Sequence, residues 1–293
     1  MKDDYIDVEK VLGHEFEPVI FTYGDREVIL YALGIGAATD PIDPKELAFT
    51  YEGSSLGFKA FPTFAVTFPF GMSLRLMSME GLQFNPMMLL HGEQYLEIEQ
   101  PLPTAARVTS RGRISHIYDK GGGALFIIDS TSEDESGQTI AINQSSIFIR
   151  GIGGFGGERG PSTSHVNLPP EREPDAVHEE HVPANQALLY RLSGDRNPLH
   201  AEPAMAAMGG FDRPILHGLC TFGYAARAVL KHFADNDPDR FKSIRTRFVR
   251  HFFPSETLVT EMWDEGEGAI LFRCKVAERD EVVISNAKVE LRI

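Results

Sequence analysis

The first half of the chain contains four runs in which apolar and polar positions alternate, at about 93–99, 105–118, 123–133 and 139–150. The last run is the clearest, because Ile140, Ile142 and Ile147 are separated by polar residues. Such alternation predicts β-strands with one buried face. The turn Asp119-Lys-Gly-Gly-Gly123 lies between two of the runs and predicts a hairpin. Four antiparallel strands are therefore expected here.

The second half shows four similar runs, at about 244–253, 256–263, 268–277 and 281–292. Helical patterns precede each group of strands, at about 25–33 in the first half and at about 185–192, 198–208 and 215–233 in the second. In the longest helix, apolar residues recur at intervals of three and four, which predicts a stripe facing the core. The apolar run 61–68 predicts a buried strand.

The two halves follow one plan, which predicts an internal repeat. Leu30-Tyr-Ala-Leu33 aligns with Leu189-Tyr-Arg-Leu192, and Leu90-His-Gly92 echoes Leu216-His-Gly218. The alignment puts Gly36 where the second half has Asp195, and Pro41 where it has His200. The first half has thus lost an ionisable pair, and we expect it to shape a pocket. The predicted domains are an N-terminal repeat at 1–150, a linker or long loop at 151–180 and a C-terminal repeat at 181–293.

The linker begins with Gly151-Ile-Gly-Gly-Phe-Gly156, which matches the dinucleotide-binding pattern G-x-G-x-x-G. That pattern needs a helix directly after it, to place the pyrophosphate at the helix N-terminus. Pro161 and Pro169-Pro170 exclude a helix of useful length. Dinucleotide binding is therefore not expected, and the segment is interpreted as a surface loop.

The net charge of the 293-residue chain is -14, which argues against nucleic acid or anionic membranes as partners. The first ten residues lack the apolar core of a secretory signal, and the last four are not a peroxisomal signal of the Ser-Lys-Leu type. Cys220 and Cys274 are too few for a disulfide framework. We therefore expect a cytoplasmic protein with reduced cysteines.

The residues with chemical potential cluster in the turn Asp195-Arg-Asn197-Pro-Leu-His200. Aspartate and asparagine favour turns, and proline suits the first turn of the following helix. Asp195 and His200 can therefore converge on one water molecule as a general acid/base pair. Gly218 lies near the start of the longest helix, where backbone N–H groups suit a developing oxyanion.

Two other interpretations of these residues stay open on this pattern alone. Asp195 can cap a helix while His200 is a purely structural histidine. Asp195, His200 and His217 can also form a metal site, although no further ligands cluster at a usable spacing.

The segment from Tyr190 to Pro203, followed by Pro214-Ile-Leu-His-Gly-Leu-Cys220, resembles the signature of the type 2 enoyl-CoA hydratases. These are (R)-specific, MaoC-like double hot-dog enzymes. Further matching motifs cover nearly the whole chain: Tyr31-Ala-Leu-Gly-Ile-Gly36, Leu90-His-Gly-Glu-Gln94, Gly153-Gly-Phe-Gly-Gly157 and Phe253-Pro-Ser-Glu-Thr-Leu258. Ser255 departs from the glycine that is frequent at this position in the family.

The resemblance implies an α+β double hot-dog fold, with two curved antiparallel sheets wrapped around helices and a degenerate first repeat. It implies that water held by Asp195 and His200 adds to a trans-2-enoyl-CoA in syn fashion and gives a (3R)-hydroxyacyl-CoA. In that scheme Asn197 orients the site and the Gly218 N–H polarises the thioester carbonyl. No metal or cofactor is implied, and the family suggests a homodimer.

Further residues are assigned to substrate binding as expectations. His217 either contacts the substrate or braces the site. A flexible basic turn of Lys120, Gly121 and Gly122 either meets the phosphates of CoA or is a solvated hairpin. Arg247 lies on a strand from which it can face CoA. A hot-dog thioesterase and a non-catalytic acyl-CoA binding module remain as alternative functions.

Overall fold

The computed structural model describes residues 5–162 and 164–293, and an antiparallel sheet of ten strands dominates it. Residues 1–4, part of the N-terminus discussed above, lie outside the described residues. A further pair of short strands, β1 and β3, forms a separate two-stranded sheet. The strands are β1 (Tyr5–Ile6), β2 (Glu15–Tyr23), β3 (Leu82–Gln83), β4 (Leu89–Ile98), β5 (Ala106–Asp119), β6 (Gly123–Glu133), β7 (Thr139–Arg150), β8 (Ala176–His181), β9 (Phe241–Phe248), β10 (Thr257–Asp264), β11 (Ala269–Val276) and β12 (Glu281–Leu291).

The α-helices are short, apart from two. They are α1 (Val8–Val11), α2 (Asp25–Gly34), α3 (Pro44–Leu47), α4 (Gly71–Arg75), α5 (Gln186–Tyr190), α6 (Pro203–Met208) and α7 (Gly218–Phe233). Three 3₁₀ helices also matter for the site: Pro62–Thr67, Arg191–Ser193 and Pro198–His200. The predicted helix at 198–208 is therefore two shorter helices, a 3₁₀ turn followed by α6.

The order of the large sheet is β2-β5-β6-β7-β4-β9-β12-β11-β10-β8, so each half of the chain contributes five adjacent strands. The halves join where β4 pairs with β9, for example at Gln94 opposite Thr246. The two curved sheets that the resemblance implies are thus joined edge to edge. Backbone hydrogen bonds across the β4–β9 pair continue one sheet through both repeats, and this satisfies two strand edges that would otherwise be exposed.

Helix α7 packs on one face of the second half of the sheet, against β9, β10 and β12. Its apolar stripe explains this position, because residues such as Phe222, Val229 and Leu230 are fully buried. The first half has no comparable long helix among the described residues. The 3₁₀ helix Pro62–Thr67 lies there instead and contacts α2, α7 and β4.

The buried strand predicted at 61–68 is therefore wrong, because this segment is helical. All six residues of Pro62–Thr67 are buried. A segment that is apolar on every side lacks the periodicity that distinguishes a buried strand from a buried helix. Pro62 stands at the first helical position, where its missing N–H has no cost.

Two further expectations need correction. Strand β8 begins inside the segment 151–180 that was expected to be a linker or long loop, and it pairs with β10 at the end of the sheet. The similarity between Leu90-His-Gly92 and Leu216-His-Gly218 does not mark equivalent positions. His91 lies in strand β4, whereas His217 is the N-cap of α7.

Candidate active site

The predicted acid/base pair is assembled by a tight turn after α5. Gly194 adopts a φ of 134°, which is open to glycine alone at low cost, and ends the 3₁₀ helix before it. The Asp195 carboxylate then accepts a hydrogen bond from Asn197 N at 3.1 Å, and Asn197 Oδ1 accepts one from Leu199 N at 3.0 Å. This turn brings His200 Nε2 to 4.0 Å from Asp195 Oδ2.

The backbone around His200 determines which ring nitrogen carries the proton. Its Nδ1 lies 2.9 Å from the carbonyl oxygen of Ile215, which can only accept a hydrogen bond. In the neutral ring the proton is therefore on Nδ1, and Nε2 presents a lone pair towards Asp195. Burial lowers the pKa of His200, although the Asp195 charge acts in the opposite direction. At neutral pH, two hydrogen-bond acceptors thus face each other.

His217 braces this pair from behind. Its ring stacks on His200 with a centroid distance of 3.7 Å, and its Nε2 donates to the backbone oxygen of Asp195 at 3.1 Å. Burial, together with the neighbouring His200, holds the pKa of His217 well below its usual range. His217 is only 1% exposed and does not line the cavity described below. Of its two expected roles, the geometry favours bracing over substrate contact.

Gly218 is the first residue of the 16-residue helix α7, and its N–H points out of the helix end without a hydrogen-bond partner among the described residues. The N-terminus of a helix carries a partial positive charge. A Cβ atom at Gly218 would lie 3.3 Å from the ring of Phe248, so a side chain would narrow the approach to this N–H. The arrangement suits stabilisation of a negative charge that develops on a nearby oxygen.

A cavity of about 1130 Å³ leads to this end of α7 and is lined by both halves of the chain. It reaches Gly218 and Thr221, and it also touches Leu199 and Ile215, which adjoin His200. Asp195 and His200 are not themselves among its lining residues. The Asp195 side chain nevertheless retains 20% of its exposure, so solvent reaches the pair.

Strand β9 directs its basic residues to the cavity. Ile244 and Thr246 are fully buried towards the helix, whereas Arg245 and Arg247 alternate with them and line the cavity. Arg245 also stacks over the Tyr95 ring at 4.6 Å. Arg247 thus lines the cavity, and its role in substrate binding stays a prediction.

The three residues of the predicted basic turn, Lys120 to Gly122, do not all face the cavity. Lys120 lines the cavity, but Gly121 and Gly122 do not. Gly121 N already donates to Asp119 at 2.8 Å, and Gly122 N donates to the Lys120 carbonyl at 3.0 Å. Both amides are therefore used within the turn, and the expectation that these glycines bind phosphate is corrected.

A metal ion would find Asp195, His200 and His217 close together, with one ligand atom from each within 4.8 Å of the others. The two imidazoles, however, are stacked with an interplanar angle of 26°. Their in-plane lone pairs therefore run side by side instead of converging on one point. This geometry favours a water molecule between Asp195 and His200 over a shared metal ion.

Two contributors to the site were not predicted from the sequence. The Ile215 carbonyl sets the His200 tautomer. Every residue has a backbone carbonyl, so the residue type does not show which one is used. Arg159 lines the cavity from within the predicted linker, where a single arginine in a loop rich in glycine and proline carried no signal.

Two family models match the chain in succession. The model described as the MFE-2 hydratase 2 N-terminal domain matches residues 21–151, and the one described as a MaoC like domain matches residues 165–287. The first match ends and the second begins within the segment between β7 and β8.

Known proteins with similar sequences span the same region. A probable enoyl-CoA hydratase 2 from Dictyostelium discoideum is 47% identical, with 96% of this chain and 95% of that protein covered. The peroxisomal multifunctional enzyme type 2 from Mus musculus is 46% identical over 96% of this chain, but the match covers only 38% of that longer protein. The crystal structure of a MaoC-like dehydratase from Phytophthora capsici superposes with a TM-score of 0.85 at 38% identity, and covers 98% of this chain and 99% of its own.

Proposed function

Since the chain belongs to the type 2 enoyl-CoA hydratase family of MaoC-like double hot-dog proteins, we propose that it hydrates trans-2-enoyl-CoA to (3R)-hydroxyacyl-CoA. The protein is a hydro-lyase and acts in the β-oxidation of fatty-acid or sterol side chains. The observation that carries this proposal is the facing pair of Asp195 and His200, 4.0 Å apart beside the N-terminus of α7.

The pair holds the water molecule that reacts. Asp195 Oδ2 and His200 Nε2 are both acceptors, so one water can donate a hydrogen bond to each and present its lone pair to the substrate. The water oxygen bonds to the β carbon, and the proton that it loses passes to the pair and then to the α carbon. Both groups arrive from one side of the double bond, which makes the addition syn.

The thioester oxygen gains negative charge as the water attacks, because the electrons of the double bond move into an enolate. The Gly218 N–H and the positive end of α7 stabilise this charge. Removal of a single oxyanion donor typically costs about 10²-fold to 10³-fold in kcat. The acid/base pair and this donor together supply the chemistry, so the scheme uses no metal and no cofactor beyond the CoA of the substrate.

Asn197 and His217 support the pair without touching the reacting atoms. Asn197 closes the turn that carries Asp195, through backbone hydrogen bonds at both ends. His217 fixes the Asp195 carbonyl and the plane of the His200 ring. Both are positioning residues in this scheme.

The CoA portion lies in the cavity with its phosphates towards the basic residues Lys120 and Arg247. These cations matter because the overall charge of -14 would otherwise repel a phosphate-rich substrate. The N-terminal repeat supplies the apolar wall for the acyl chain.

We further propose a homodimer, to be tested by sedimentation velocity on the purified protein. Cys220 and Cys274 are both free and buried, which suits a reducing compartment. The mouse relative is named as peroxisomal, and a cytoplasmic location for this chain stays a prediction. No α-helix in the described part of the chain has the length and apolar character to traverse a lipid bilayer.

The test of the activity follows the loss of conjugated-thioester absorbance with crotonyl-CoA and 2-decenoyl-CoA, and identifies the product by chiral chromatography. Asp195→Asn and His200→Asn should each abolish the absorbance change, while the surface changes Asp40→Asn and His14→Asn should retain it. Full activity in either site variant would defeat the assignment. Release of free thiol from a saturated acyl-CoA would instead indicate a thioesterase, and tight binding without turnover a binding module.

A further inference from the structure

A single carboxylate joins the hairpin after β5 to the segment that follows β7. Asp119 is the last residue of β5 and is 7% exposed. Its Oδ1 accepts hydrogen bonds from Gly121 N and Gly154 N, and its Oδ2 accepts one from Gly156 N, each at 2.8 Å. We call residues 151–162 and 164–166 the strap.

This clamp explains the glycine pattern in the strap. A Cβ atom at Gly153 would lie 2.4 Å from the Gly121 carbonyl oxygen, and one at Gly160 would lie 2.5 Å from the Tyr118 ring. The backbones therefore approach more closely than any other residue permits. The motif Gly151-Ile-Gly-Gly-Phe-Gly156 does bind an anion, but the anion is the protein's own Asp119.

The strap is tied down a second time at its other end. Asn286, in strand β12, donates from Nδ2 to the carbonyl oxygens of Val166 at 2.8 Å and Ser164 at 3.3 Å. The strap thus runs between two fixed points, Asp119 and Asn286, and residues such as Gly160 and Ser162 line the cavity between them.

The Asp119 end of the strap places two cations side by side. Lys120 Nζ donates to the Arg159 carbonyl oxygen, and both side chains line the cavity. Burial and the neighbouring Arg159 lower the pKa of Lys120, although the Glu93 carboxylate acts in the opposite direction. Two basic groups side by side at the cavity, in an otherwise acidic protein, form a site for an anion.

We propose that Asp119 is a positioning residue for substrate binding, which fixes the strap so that Lys120 and Arg159 bind the phosphate groups of the CoA substrate. This inference rests on the proposed function and deepens it. Asp119 does not touch the substrate. It acts through the strap, and its effect is therefore confined to substrates that carry phosphate.

The experiment compares two thioesters of the same acyl chain, 2-decenoyl-CoA and 2-decenoyl-N-acetylcysteamine, which lacks every phosphate. Asp119→Asn replaces one acceptor oxygen with an NH₂ group that faces backbone donors. We expect the KM for the CoA ester to rise about tenfold, since hydrogen bonds to a charged group are lost. We expect kcat for that ester, and kcat/KM for the N-acetylcysteamine ester, to stay within about twofold of wild type.

Asp134→Asn is the matched control. Asp134 also accepts hydrogen bonds from the backbone N–H groups of its own turn, those of Ser136 at 2.8 Å and Gln138 at 3.0 Å, but it lies outside the cavity lining. Its KM for the CoA ester should equal that of wild type. Asn286→Gly, which removes the other clamp and keeps a backbone tolerant of its φ of 49°, should raise KM for the CoA ester alone.

Equal losses of kcat/KM for the two esters in Asp119→Asn would overturn the inference, because they would indicate a general structural role. An unchanged KM would overturn it as well. If Asp119→Asn fails to fold, the inference is tested by the ratio of kcat/KM for the CoA ester to kcat/KM for the N-acetylcysteamine ester, measured in Asn286→Gly and in Lys120→Met. An unchanged ratio in both variants would overturn it. Wild-type protein that hydrates neither ester would instead refute the proposed function, which separates the two failures.

Discussion

The two repeats present the same turn with opposite contents. In the C-terminal repeat, the turn after α5 carries Asp195 and His200, and solvent reaches the carboxylate. In the N-terminal repeat, the turn after α2 has Gly36 at the position aligned with Asp195, with a φ of 79°. A Cβ atom there would lie 2.5 Å from the ring of Tyr224, a residue of α7. The N-terminus of α7 therefore leaves space beside the C-terminal turn, whereas Tyr224, from the middle of the same helix, fills the N-terminal turn.

Charge is also distributed differently around the two turns. Close to the filled turn, Arg227 donates to both oxygens of Glu46 and of Glu180, and to the Ile35 carbonyl. Burial alone would lower the pKa of Arg227, but the two carboxylates outweigh it and raise the pKa. In the C-terminal turn, by contrast, the Asp195 carboxylate accepts a hydrogen bond from Asn197 N and faces a neutral imidazole. The charges near the N-terminal turn are thus paired within the protein, whereas the C-terminal turn leaves the acceptor atoms of Asp195 and His200 available to water.

The largest expected effect comes from giving the C-terminal turn the residue of the N-terminal one. Asp195→Gly removes one of the two groups that hold the water, so kcat should fall about 10³-fold. The free energy of unfolding should change by less than about 1 kcal/mol, because Asp195 is not a core residue. Enoyl-CoA absorbance assays and urea denaturation measure the two quantities. If Asp195→Gly retains more than a tenth of the wild-type kcat, the Asp195 carboxylate is not what distinguishes the C-terminal turn from the N-terminal one.

Next is the charge cluster beside the filled turn. Arg227→Met leaves Glu46 and Glu180 buried without their cation, which should cost about 3–5 kcal/mol of unfolding free energy. Lys10→Ala removes an exposed pair with Glu80 and is the matched control, with an expected cost below about 1 kcal/mol. Urea denaturation of both variants measures the difference. Equal stabilities would mean that Arg227 does not hold the repeats together.

A smaller effect is expected from a side chain in the filled turn. Gly36→Ala combines a left-handed backbone with the contact to Tyr224 and should cost about 2–4 kcal/mol. Gly57→Ala has a similar φ of 82° but no atom within 4 Å of its Cβ, so it should cost about 1 kcal/mol. The double variant Gly36→Ala/Tyr224→Leu should be less destabilised than the sum of its single changes. Additivity would place Tyr224 outside this turn.

The smallest effect is a shift in pH dependence, because only the C-terminal turn contains a titratable pair. Burial lowers the pKa of His200, so the neutral acceptor form persists above that pKa and is lost below it. The acid limb of kcat/KM should therefore lie below the ordinary histidine value of about 6.5. An NMR titration of His200 in Asp195→Asn should show a still lower pKa, since the carboxylate that raises it is gone. A rise in that variant would contradict the geometry.

Periodicity and turn chemistry were enough to predict helix α7 and eight of the ten strands in the large sheet, β4 to β7 and β9 to β12. The exposed half of β8, at the end of the sheet, is mostly polar, and its short Ala176–His181 sequence gave no apolar run to detect. The segment Pro62–Thr67 was misassigned because burial on every side removes the period.

The site was predictable where side chains carry it and not where the backbone does. The proximity of Asp195 and His200 follows from residue type and spacing, and the position of Gly218 follows from the apolar pattern of α7. The Ile215 carbonyl and the amides that bind Asp119 are present in every residue, so only the folded chain reveals which ones are used. The corrected role of Gly121 has the same origin, because its N–H is committed to Asp119.

The pairing of β4 with β9 has a consequence for how the molecule responds to concentration. Two separate single-repeat subunits would make this junction by association and lose it on dilution. Here both strands belong to one polypeptide, so their effective concentration is independent of how much protein is present. The asymmetry is therefore permanent: each polypeptide carries one reactive and one filled turn in a fixed order, and mismatched assemblies of two like halves do not arise.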